Sequence, residues 1–166
     1  MNLFKLPYLL LMAVFFCFAQ VEAQMTPLQL KFDGRDWVLA YKNETDTSLI
    51  SEFILKGETL NNWSEMVTIH AFWGPDAKTV EPYARGRQFI QELTQSVKDA
   101  HSKFISQTPD NTLFEWWTQG AHPEHEWVRV LKDPGHGYYI VRYTPKIALK
   151  LPNKAKSGAN CLAKLN

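Results

Sequence analysis

Hydrophobic and polar positions alternate most regularly between Trp63 and Trp73, where Val67, Ile69, Ala71 and Trp73 share one side and Ser64, Thr68 and His70 the other. A period of two over that length predicts a β-strand. Two shorter strands are expected before it. Trp37 to Tyr41 is aromatic and branched, and Leu49 to Leu55 follows the polar turn 43–47 and ends at Gly57. After Gly74-Pro75-Asp76 the period changes. From Pro82 to about Ile105 the apolar positions Tyr83, Ile90, Leu93, Val97, Ala100 and Phe104 step by three, four or seven. That spacing predicts one amphipathic helix, with Pro82 tolerated in its first turn. Three more strands are expected at 112–117, 126–131 and 138–143, the last two joined by the turn residues of 132–137. Three strands, a helix and three strands lack strand–helix–strand alternation. They predict an α+β fold: a mostly antiparallel sheet of about six strands with one long helix packed on one face.

The amino terminus changes this picture of a single domain. Lys5 precedes an uncharged apolar run from Leu6 to Ala19, and Val21-Glu22-Ala23 offers a cleavage site before Gln24. Residues 1–23 therefore read as a cleavable secretory signal, the run being shorter than the roughly 18 to 20 residues that span a bilayer. Residues 24–145 are expected to form the domain, exported to the periplasm or secreted. Cleavage removes Cys17 and leaves Cys161, so no internal disulfide can form and packing alone must hold the fold. The chain has six Trp, six Tyr and ten Phe, of which Phe4, Tyr8, Phe15, Phe16 and Phe18 leave with the signal. The rest can supply an aromatic core.

Charge is uneven along the mature chain. Residues 24–145 carry 12 basic and 16 acidic side chains, whereas residues 146–166 carry five lysines and no acid. The latter read as a basic, flexible tail, capable of weak contact with anionic surfaces. An acidic body argues against nucleic acid as a partner.

Candidate chemistry is sparse. His122-Pro-Glu-His125-Glu126 contains ligand types suited to zinc or copper, with His70 or His136 as distant further donors. It lies before a strand and lacks the His-Glu-x-x-His helical pattern, so a solvated polar loop is the expected state and no cofactor is assigned. Glu115-Trp116-Trp117 places adjacent rings on opposite faces of a strand. Trp116 goes with Phe114, and either ring, if left uncovered, would make a stacking platform. No nucleophile elbow, phosphate loop or dinucleotide fingerprint is present in the sequence.

The segment from Phe53 through Gly57-Glu58, Trp63-Ser-Glu65 and Val67-Thr68 resembles a motif of uncharacterised exported proteins of Gram-negative bacteria. The expected element order is also similar to that of the PsbP-type α/β sandwiches, which implies an accessory or binding role. Physically, Gly57 allows a tight turn, Trp63 packs at the strand entry, and Glu58 and Glu65 can accept hydrogen bonds that fix that entry. Trp63, Glu65, Trp116 and Trp117 are thus the candidate binding residues, and His122 and His125 the candidate metal ligands. The expected function is a non-enzymatic binding protein, an exported effector or envelope accessory factor, with a protein or other macromolecule as partner. The alternative is a small metal-dependent hydrolase using His122 and His125.

Overall fold

The computed structural model describes residues 29–119, 123–146 and Leu162. The signal at 1–23, His122, Cys161 and the tail apart from Lys146 and Leu162 lie outside the described residues. Eight strands and two helices follow in the order β1 (Gln29–Phe32), β2 (Arg35–Glu44), β3 (Ser48–Leu55), β4 (Glu65–Trp73), α1 (Pro75–Lys78), α2 (Pro82–Ser96), β5 (His101–Thr108), β6 (Asn111–Trp117), β7 (His125–Asp133) and β8 (Gly137–Pro145). The strands form one sheet in the order β1-β2-β3-β4-β8-β7-β6-β5, with every neighbouring pair antiparallel. It consists of two four-stranded meanders that meet where β4 pairs with β8. No helix of the described residues is long and apolar enough to cross a membrane.

This overturns the expected sheet of about six strands under one long helix. The pattern of apolar positions carries a helix to Ile105, but α2 stops at Ser96. Val97 leaves the helix in an extended conformation, and Asp99 in the connection to the next strand adopts a left-handed backbone (φ 59°). Residues 101–108 become an edge strand paired with β6, in which Phe104 alone is even half-buried. With one inward ring, that strand has no period-two signature of its own. The other unexpected strand, β1, is joined to β2 by Asp33-Gly34, both at positive φ. Asp-Gly is a favoured two-residue hairpin loop, because both central positions must adopt φ above zero to match the strand twist.

The sheet's two faces form two cores. One holds Trp37, Phe53, Val67, Leu113, Trp127 and Val141 with Leu162, which is fully buried although it belongs to the segment read as a tail. Its carbonyl accepts a 2.7 Å hydrogen bond from the buried Arg129. The second core joins Phe114, Trp116, Val128, Val130, Tyr138 and Ile140 to Ala77 of α1 and to Phe89, Ile90 and Leu93 of α2. We call this the helix face. At the junction of β4 and β8, Gly137 is obligatory: a Cβ there would lie 2.0 Å from the Phe72 carbonyl oxygen.

Candidate functional site

Antiparallel register brings one end of many elements together. The starts of β2, β4, β5 and β7 and the ends of β3, β6 and β8 share one rim of the sheet. On the face opposite the helices, period-two alternation lines up a row of rings there. Trp37 meets Tyr143 edge-on at 6.5 Å, and Tyr143 lies 5.7 Å from Trp127. Trp127 stacks on His125 at 4.0 Å, His125 lies 6.0 Å from Trp117, and Trp117 stacks on His101 at 5.7 Å.

A carboxylate stands on each side of the row. Glu65 accepts a 2.7 Å bond from Arg35 and a short one from the Tyr143 hydroxyl. Arg35 also bonds Asp33 through Nε at 2.8 Å and lies 5.1 Å over the Trp37 ring. Burial, and then donation to Glu65, push the Tyr143 phenol well above its ordinary pKa. The bonds to Glu65 and Asp33 likewise hold the Arg35 guanidinium firmly charged. On the other side, Glu115 Oε2 lies 3.1 Å from His125 Nε2. Burial lowers the His125 pKa, and Glu115 only partly offsets it.

These contacts place the expected residues as follows. Glu65, Trp117 and His125 all lie along the row. Trp63 sits just before β4 at the same rim, half-buried, with Lys146 5.1 Å over its ring. Trp116 points to the helix face, where it is buried and donates a 2.9 Å bond to Glu126. That carboxylate, itself buried, also accepts from Thr144 at 2.7 Å. His125 and Glu126 are therefore not in a solvated loop, since β7 begins at His125 and buries both. The further donors do not converge on His125. His70 lies against Phe72 at 3.9 Å, tilted by 32°, on the helix face, and His136 bonds Asp133 in the turn at the opposite end. Among the described residues, no group of three or more His, Cys, Asp or Glu side chains is placed to hold a metal ion.

The turn before β4 follows the physical account of its motif. Gly57 has φ 96°, and Glu58 accepts from the Ser64 amide at 3.1 Å and from its hydroxyl. Sequence reasoning missed Arg35, Trp37, Glu115, Trp127, Tyr143 and His101. Only the Asp-Gly hairpin could have flagged the first two, by pinning the start of β2 opposite β1.

Chemically, the acid and base groups of the row are bonded to one another, while Trp63 and Trp117 keep part of their ring surface in solvent. The chain matches no curated protein and no solved structure. A family model does match residues 25–165, and the chain belongs to that family, which is uncharacterised.

Proposed function

We propose that this protein is an exported, non-enzymatic binding domain, periplasmic or secreted, whose macromolecular partner docks at the rim carrying Trp63 and Trp117. The observation that carries the reading is the partial exposure of these two indoles at one end of a sheet whose other tryptophans, apart from Trp73, are buried. Tryptophan on a rigid support is the commonest kind of interface anchor, because it offers large area at little conformational cost. The support here is the ring row with its Glu65–Arg35 and Glu115–His125 pairs. Lys146 over Trp63 and the exposed His101 beside Trp117 complete an aromatic rim that carries both charge signs. A partner with apolar and aromatic groups fits it best. Export rests on Lys5, the apolar run and Val21-Glu22-Ala23, and the family match begins at residue 25, just past the expected cut.

Site-specific photo-crosslinking in intact cells tests the docking surface. A photoreactive residue at His101 should give a discrete adduct, while one at Tyr41, exposed near the opposite end of the sheet, should not. Adducts at Tyr41 alone, or at neither position, would remove the rim from consideration.

A further inference from the structure

On the helix face, α2 packs over β5, β6 and β7, while α1, which follows the end of β4, packs on β4 and β8. The register sets Thr68 opposite Arg142 and His70 opposite Ile140, so His70 and Arg142 are diagonal neighbours across β4 and β8. A second arginine reaches them from α2. Tyr83 packs edge-on against Phe104 of β5 at 5.4 Å. Residue 85 lies about 200° further round the helix, so Arg85 stands on the other flank, toward β8 and β4. Both arginines are largely covered, with 18% of the Arg85 side chain and 30% of that of Arg142 exposed. Yet Arg85 makes one long bond, at 3.4 Å to Glu92, and Arg142 makes no hydrogen bond with another described residue, Glu126 lying 3.7 Å away. Glu126 is taken by Trp116 and Thr144, and Glu92 by Gln88 at 2.8 Å. His70 makes no hydrogen bond with another described residue either. Burial, and then the charges of Arg142 and Arg85, hold its pKa below the ordinary value, so at neutral pH it is a neutral ring with one N–H to donate.

We propose that Arg85, Arg142 and His70 bind the carboxylate of a small, free organic acid. A guanidinium offers five donors in a planar fork that matches a carboxylate, and covered donors of this kind are ordinarily satisfied. Glu126 and Glu92, with Glu52 across Thr68 on β3, make a second negative charge unfavourable. A monoanionic carboxylate therefore fits, and a phosphate dianion does not. Ile50, half-buried and opposite His70 on β3, offers an apolar surface to the body of the acid. The site is distinct from the tryptophan rim, and neither proposal depends on the other.

The test titrates benzoate, its uncharged isostere benzamide and inorganic phosphate into the purified protein, followed by NMR at the His70 ring and the Arg142 Nε–H. Benzoate should shift both signals saturably, and benzamide should bind about tenfold more weakly. Arg142→Gln and Arg85→Gln, read at His70, should each weaken benzoate by about tenfold and leave benzamide unaffected. The wild-type comparison of benzoate with benzamide stands even where a variant fails to fold. No saturable shift with benzoate, or equal affinity for benzamide, would overturn the proposal. So would unchanged benzoate affinity in either variant once folded. Phosphate binding more tightly than benzoate would overturn the assignment to a carboxylate.

Discussion

Glu65 accepts from Arg35 and from Tyr143, so one carboxylate ties β2, β4 and β8 together at the rim. Arg35 is partly solvated and keeps Asp33, which limits what the ion pair adds. Glu65→Ala should therefore cost only about 1–2 kcal/mol in urea unfolding, mostly through the phenol left behind. His125 makes a different prediction. Its pKa is lowered by burial in the folded chain, and that of His70 is lowered by burial and by Arg142 and Arg85. Both sites therefore bind protons less readily when folded, and stability must be lost as pH falls from about 6.5 through the lower folded values. Melting temperature should drop between neutral pH and pH about 5, and His125→Gln should flatten the slope. Trp127 carries a buried indole N–H with no partner among the described residues. Trp127→Phe removes that orphan donor and should cost far less than Trp127→Ala, which should lose about 3–5 kcal/mol.

Elements differ in how far sequence reveals them. β4 was legible because apolar and polar side chains alternate along it, and the β7–β8 hairpin because Asp133-Pro134-Gly135 marks a turn. β5 was not. Ala100 and Phe104 stand four apart, which continues the helical stripe by coincidence, and the edge strand buries too little to show alternation. The chain leaves the helix at the extended Val97 and is redirected at the left-handed Asp99, which no periodicity reports. Replacing it tests that reading: Asp99→Gly should hold or raise the melting temperature, whereas Asp99→Val should lower it by an amount equivalent to about 1–2 kcal/mol. The site suffered the same blindness on a larger scale. Trp117 and His125 are adjacent because β6 and β7 pair, and Glu65 meets Tyr143 because β4 pairs with β8 across 78 residues. Residue types were readable along the chain, but the pairing that assembles them was not.

At the scale of the whole molecule, Leu162 binds the carboxy-terminal segment to the domain. It is fully buried against the face opposite the helices, and Arg129 donates to its carbonyl. Leu162→Ala should cost about 2–5 kcal/mol, and removing residues 147–166 should lower the melting temperature markedly rather than leave it unchanged. Trp63, by contrast, is half-buried under Lys146, so Trp63→Ala should cost less than a core tryptophan does. That difference makes the central claim testable without unfolding the protein. The partner crosslinked through His101 can be purified and its affinity measured against the wild type and the Trp63→Ala, Trp117→Ala double variant, with a thermal melt confirming that the variant is folded. Loss of both indoles from a true docking rim should weaken binding by about tenfold to a hundredfold. A folded double variant that binds with wild-type affinity would contradict the assignment.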